Sequence, residues 1–450
     1  MKSWQKRDLQ HIWHPCSQMK DYEAFPPIVI ERGKGAYLYD LDGKSYLDAV
    51  SSWWVNLFGH SNDRINQAIR EQIDKLEHVI FANFSHQPAI ELAEQICRIT
   101  PAGLNKVFFA DNGSSAVEAA LKMSFHYHQQ TGHPGKTRFA AITDAYHGET
   151  LGALSMGDLD LYSSIYKPLM LHTLKAAGPD CYRCPYDKSR DHCDAECFSD
   201  LERMLLAHHE EICGIIIEPL VQCAAGMKIY PPRYLRKLRD LCTRYNIHLI
   251  ADEIAVGFGR TGRMFACNHA DISPDIMCLS KGLTAGYMPL SLVVTTDELY
   301  RAFYGEYTEL KAFMHSHSYT GNAMGCAVAC EVLRIFRDED VLAKNAVKSD
   351  VIGEKVARRM AGHPYIGEYR RLGMISALEL VKDRATKRPF DWKDRVGYGI
   401  YRIALEKGVL LRPLGNVIYF MPPYVVEEED IDLMVDTAFS SIDQYFDRST

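Results

Sequence analysis

Six short, largely apolar runs separated by amphipathic stretches leave this 450-residue chain few folds to choose from. Val107-Phe108-Phe109-Ala110 reads as a strand, and Ala116–Lys122 after it has helical spacing. Phe139–Ile142, Cys213–Ile217, Ile247–Ala251, Asp275–Leu279 and Ser291–Val294 read as further strands, with a helix over Tyr234–Tyr245 between two of them. Nearly continuous apolar strands that alternate with helices belong in a mostly parallel sheet with helices on both faces, an α/β fold. Such sheets bind ligands beyond the carboxyl ends of their strands. The residues that follow each run are therefore the place to look for chemistry.

One run ends Leu249-Ile250-Ala251-Asp252-Glu253. A carboxylate straight after a buried strand is costly unless something pairs with it. Asp252 is either a helix cap or an acid that faces a cationic nitrogen. The next run ends Met277-Cys278-Leu279-Ser280-Lys281-Gly282. Alone, Lys281 reads as a solvated surface lysine. With Asp252 at the end of the preceding strand it reads as an amine placed in a ligand site. Such an amine can form a Schiff base with an aldehyde, and once released it can carry a proton.

Asp111-Asn112-Gly113-Ser114-Ser115 joins a strand to a helix, where backbone amides and the helix terminus favour a phosphate. Asn-Gly-Ser is also an ordinary turn. It is neither a Walker loop nor GxGxxG, which disfavours nucleotide hydrolysis and dinucleotide binding. Tyr146, in Tyr146-His147-Gly148, is placed to lie on a planar ring or else to sit half-buried in the core. Ile254 shares a face with Asp252 and is placed to pack on the ring's other side. In Gly257-Phe258-Gly259-Arg260-Thr261-Gly262, Arg260 reads as an anion contact, although glycine-rich turns without a ligand are common.

The flanks differ from the middle. Gly35–Asp40 before Asp42-Gly43, Ile375–Leu380 and Val409–Arg412 suggest a smaller α+β domain. The expected division is an N-terminal arm with part of the small domain over 1–60, a large domain over 61–335, and a C-terminal small domain over 336–450. A net charge of -7 argues against a nucleic-acid partner. No apolar run approaches membrane-spanning length. Residues 1–10 show no secretory apolar region, and thirteen cysteines, an odd number, fit a reducing compartment. A cytoplasmic location is expected. Cys181, Cys184, Cys193 and Cys197 form C-x2-C-x8-C-x3-C within one loop. Four thiolates so spaced can bind zinc; the other reading, and the main expectation, is a loop of reduced thiols with no metal.

With Asp252 and Lys281 in place, Leu249–Gly262 (LIADEIAVGFGRTG) and the lysine segment LSKGLTAGYMPLS resemble class III aminotransferases of the pyridoxal-phosphate-dependent fold type I. Within that class, Trp13-His14-Pro15, Gln18–Tyr22, Ser51-Ser52-Trp53-Trp54 and Arg412–Pro423 resemble the 7,8-diaminononanoate synthases of biotin biosynthesis. The resemblance implies amino transfer to 8-amino-7-oxononanoate with S-adenosylmethionine, or else lysine, as donor. The cofactor it implies is pyridoxal 5'-phosphate, bound to Lys281, with Asp252 at its ring nitrogen and Gly113 and Ser114 at its phosphate. Tyr146 would line the ring and the substrate pocket. His317 and Ser318, in His315–Asn322, would reach the phosphate of a neighbouring subunit, so a homodimer with shared sites is implied. Trp53 and Trp54 would wall the substrate's chain, Ser316 would border it, and Arg412 would hold its carboxylate.

Three positions depart from the pattern: Cys16 where tyrosine or phenylalanine is frequent, Glu149 for aspartate, and Ser316 for glycine. Two other readings remain at this stage: an ω-amino acid or diamine aminotransferase working with pyruvate or 2-oxoglutarate, and a non-catalytic protein of the same fold.

Overall fold

Seven strands build the central sheet of this structure, a computed structural model that describes residues 3–447. In chain order they are β1 (Leu104–Ala110), β2 (Arg138–Ile142), β3 (Leu174–Ala176), β4 (Ile212–Ile217), β5 (His248–Asp252), β6 (Ile276–Leu279) and β7 (Ser291–Thr296). Their spatial order is β1-β7-β6-β5-β4-β2-β3. The neighbours from β6 to β3 pair in parallel, and β7 runs antiparallel to both β6 and β1. All six expected strands are present, within about three residues of where the apolar runs place them. β3, at the sheet's edge, has only three residues and gave no such run.

Helix α1 (Gly113–Gln130) follows β1, and the Asn112 side chain caps it by accepting from the Ser115 amide. Helix α2 (Pro232–Arg244) begins on a proline, whose missing N–H costs nothing there. α1 buries two turns of side chains against the sheet, and this brings His128 against His248 at the start of β5, ring centroids 4.6 Å apart. His128 Nε2 donates to the Cys213 carbonyl at 2.9 Å, and the Ser124 hydroxyl lies 2.9 Å from His248 Nδ1. Burial, reinforced for each ring by neighbouring cationic groups, lowers both imidazoles to about 3. Both rings are therefore expected to stay neutral in the folded protein far below the ordinary histidine range. Deuterium exchange at the histidine C2 position, followed against pH by mass spectrometry, checks this; a midpoint near 6.5 for either residue would contradict it.

Outside the central sheet, Ile30–Lys34, Tyr37–Asp40 and Ser45–Asp48 form an antiparallel set. Val409–Leu410 adds to it in parallel beside Ser45–Asp48. The strands Ile366–Leu372, Ile375–Leu380 and Val417–Phe420 make a second small antiparallel sheet. Position 335 lies inside the helix Ala323–Asp338, which packs on the helices Asp63–Ile73 and Gln87–Ile99. The chain breaks direction instead at Glu339 and Asp340, where Asp340 has φ +49°.

Candidate active site

At the carboxyl ends of β2, β4, β5 and β6 lie several buried charged groups. Asp252 ends β5 opposite Cys278 of β6, and Lys281 lies three residues beyond that partner. Glu218 follows β4 directly, and Tyr146-His147 follows β2 after a short turn. Asp252 is buried. Its Oδ2 lies 2.7 Å from His147 Nδ1, so that nitrogen donates, and its Oδ1 accepts from the Ile254 amide at 3.1 Å. No helix follows Asp252, so capping does not explain the carboxylate. His147 is what pairs with it.

Lys281 sits on a single 3-10 turn with φ +47°, a left-handed conformation that a lysine adopts only under constraint. Burial pulls its amine below the usual lysine range; the Cys223, Asp252 and Glu218 side chains oppose that shift, and the Arg260 guanidinium adds to it. A larger share of such an amine is uncharged and nucleophilic at neutral pH. Its Nζ lies 4.6 Å from the centre of the Trp54 ring. Glu218 is buried and accepts from the Tyr146 amide at 3.1 Å and the Cys223 amide at 3.0 Å. Burial still raises its carboxyl to about 7.

Ser51, Ser52, Trp53 and Trp54 all have positive φ, from +45° to +75°. Four consecutive left-handed residues without a glycine cost about 1–2 kcal/mol each, and such strain gathers at functional sites. The turn splits the two tryptophans. Trp53 is 43% exposed, and the Arg412 guanidinium lies 5.1 Å from its ring. Trp54 is buried, and its indole N–H donates to the Tyr419 hydroxyl at 2.9 Å. Trp54 therefore backs Lys281 with one ring face.

Around Trp53 the mouth of the site is polar. Arg412 donates to the Cys16 carbonyl at 3.2 Å. The Tyr146 hydroxyl donates to Glu149 Oε1 at 2.9 Å, and the Cys16 thiol lies 3.8 Å from the same oxygen. Burial and the Glu149 charge push the Tyr146 phenol well above its ordinary value. Tyr162 flanks Tyr146, ring centroids 5.4 Å apart.

At the start of α1 the first amides have no intrahelical acceptor. Glycines open the space in front of them. A Cβ on Gly148, which has φ +123°, would lie 2.1 Å from Ser114 Oγ, and one on Gly113 would lie 3.1 Å from Ile254 Cδ1. Ile254 thus packs against the cradle. His317 reaches this region within its own chain, its Nδ1 2.8 Å from Asp111 Oδ2. Ser316 and Ser318 are exposed, and the Ser318 carbonyl accepts from His78 at 2.7 Å. These residues fit pyridoxal phosphate: an anion cradle at Gly113 and Ser114, a paired buried carboxylate at Asp252 and a depressed amine at Lys281. His147 Nε2, buried without a hydrogen-bond partner, points to the same unmet polar demand.

One expectation is corrected: Arg260 is no anion contact. It is fully buried and donates to the carbonyls of Pro422 (2.8 Å), Asn56 (3.1 Å) and Trp54 (3.3 Å). The Gly257–Gly262 turn folds inward, so its guanidinium acts as a strut. In the cysteine loop, Cys181, Cys184, Cys193 and Cys197 are free, and no group of three or more His, Cys, Asp or Glu among the described residues is arranged to hold a metal. Burial, with the neighbouring thiols, pushes Cys181 up to about 12 and Cys197 up to about 11. Ion pairs pin the loop: Lys228 to Asp180 at 2.9 Å and Arg233 to Asp194 at 2.8 Å. Sequence reasoning assigned no role to His147, Glu218 or Cys223; only the apolar run before Glu218 pointed to any of them.

A family model described as aminotransferase class-III matches residues 18–442. An adenosylmethionine-8-amino-7-oxononanoate aminotransferase of Geobacter sulfurreducens is 47% identical over 443 residues, covering 98% of this chain and 97% of the relative. The crystal structure of an enzyme of that name from Methanocaldococcus jannaschii superposes with a TM-score of 0.93 at 38% identity, covering 98% of each chain. An omega transaminase from Pseudomonas jessenii, solved in complex with PMP, superposes with a TM-score of 0.94 at 31% identity, covering 99% of each.

Proposed function

From a chain that belongs to the class III aminotransferases, we propose an enzyme that moves an amino group onto 8-amino-7-oxononanoate to give 7,8-diaminononanoate, with S-adenosylmethionine as donor. Near-full-length likeness to relatives named for that reaction supports the substrates. The observation that carries the chemistry is the Lys281 amine, held beside buried Asp252 and against Trp54.

Pyridoxal phosphate supplies an aldehyde that takes up amino groups and a ring that draws electrons from the neighbouring carbon. The chain's own residues do the rest. Lys281 would hold the cofactor, and its amine would carry a proton to or from the substrate. Asp252, oriented by His147, would pair with the ring nitrogen. Gly113 and Ser114 would hold the phosphate through backbone amides, with His317 and Ser318 of a second subunit as further contacts. Tyr146 would cover the ring. Arg412 takes the carboxylate of the keto acid, and Trp53 lies along its apolar chain. Ser316 borders the same opening. A guanidinium suits this task because it can bind a carboxylate through two parallel hydrogen bonds.

Exposed Leu161, Ile165, Tyr304, Tyr307 and Leu310 support a second copy packed on this chain, as a shared phosphate site requires. No helix among the described residues is long and apolar enough to cross a membrane. Thirteen free cysteines support a reducing cytoplasm as its location.

The direct test is an assay of 7,8-diaminononanoate formation with S-adenosylmethionine and with lysine offered separately. Absence of product with either donor would overturn the reading; activity confined to a wider amine screen with pyruvate or 2-oxoglutarate as acceptor would make this an ω-amino acid transaminase instead. Arg412→Ala is expected to raise KM for the keto acid roughly 10- to 100-fold, with a smaller change for the donor. Equal effects on both would remove Arg412 from its assigned place.

A further inference from the structure

We propose that Asp48 and His60 form a positioning dyad that locks the left-handed Ser51–Trp54 turn and so sets the Trp54 ring against the Lys281 amine. Asp48 is fully buried at the end of a strand. Its Oδ1 accepts from the Ser52 amide at 2.8 Å, and its Oδ2 accepts from the Ser52 hydroxyl at 2.6 Å. Both bonds grip the residue at the centre of the strained turn. His60 completes the carboxylate, its Nε2 3.0 Å from Asp48 Oδ2. The Asn56 side-chain amide lies 3.1 Å from His60 Nδ1 and donates to it, which leaves the ring proton on Nε2, facing Asp48.

The backbone is shaped to admit this imidazole. A Cβ on Gly33 would lie 2.6 Å from His60 Cβ, and Gly35 exchanges backbone hydrogen bonds with His60 at 3.0 and 2.7 Å. Neither Asp48 nor His60 touches the reacting groups. They act through Ser52 on Trp54, whose far edge is fixed by Tyr419 and whose face meets Lys281 Nζ at 4.6 Å. An aromatic face stabilises a cationic nitrogen. The other charged or titratable groups acting on Lys281 are Asp252, Glu218, Cys223 and Arg260, and the dyad leaves all four in place.

The inference rests on the reading that Lys281 carries the cofactor. The test is the visible absorbance of the holoenzyme, titrated with pH, because its midpoint reports the proton at the Lys281 nitrogen. Asp48→Asn is expected to lower that midpoint by about one pH unit and kcat about 100-fold, with KM changed much less. Adding Ser52→Gly is expected to restore much of both, since glycine adopts a left-handed φ without a holder. Ser52→Ala, which keeps the amide contact, covers the case in which Asp48→Asn fails to fold, and is expected to shift the midpoint in the same direction. An unchanged midpoint with only a lower urea midpoint makes the dyad merely structural and overturns the proposal. So does a double variant no better than Asp48→Asn alone. A wild-type chain with no visible band overturns the Lys281 reading itself, and the dyad with it.

Discussion

A Lys281→Ala chain is expected to lose the visible absorbance of its bound cofactor and about 10,000-fold in kcat. Two functions leave with one side chain. The first is attachment: Lys228, the amine beside the end of β2, is already paired with Asp144 at 2.8 Å and Asp180 at 2.9 Å. Arg260, the other cation acting on that region, is committed to carbonyls. The second is proton transfer, for which an amine pulled below its ordinary range by burial is suited at neutral pH. Absorbance spectra of the purified variant, with single-turnover kinetics, measure the two losses separately. Retention of both the band and the activity would remove Lys281 from the mechanism.

Arg260→Met is expected to destabilise the fold by about 3–5 kcal/mol, read as a lower urea midpoint, and to weaken cofactor retention. Methionine fills similar space and removes a buried cation, which alone would favour the variant. Against that, three carbonyls lose charge-assisted bonds in a site with no water to replace them. The second effect is larger because three buried acceptors on two separate segments lose their shared donor at once. Arg260→Lys is expected to fall between the two chains, since one ammonium cannot span the same acceptors. A midpoint equal to wild type for Arg260→Met would mean that the strut carries no load.

The sheet was legible because its strands are buried on both faces and so read as unbroken apolar runs. Asp252 and Lys281 were legible for a related reason. A charged group directly after a buried strand is costly enough to demand a purpose. Arg260 was misread because a glycine-rich turn gives no sign of whether it folds outward or inward. The left-handed backbone at Ser51–Trp54 was illegible because Ser51-Ser52-Trp53-Trp54 contains no glycine to announce it. His147, Glu218 and Asp48 were illegible in their roles for a third reason: their partners lie on other elements. Asp252 is 105 positions from His147, a pairing that only the topology of β2 and β5 creates.

The strut at Arg260 has a consequence for the order in which the molecule is made. It ties Trp54 and Asn56, near the chain's beginning, to Pro422, near its end. The strand Ser45–Asp48 likewise takes its parallel partner from Val409–Leu410. A ribosome delivers these segments from first to last. While the late segments are still being made, the early ones have neither partner, and the pocket around Lys281 has no back wall. Cofactor capture is therefore expected to wait until the segments around Val409 and Pro422 have been made.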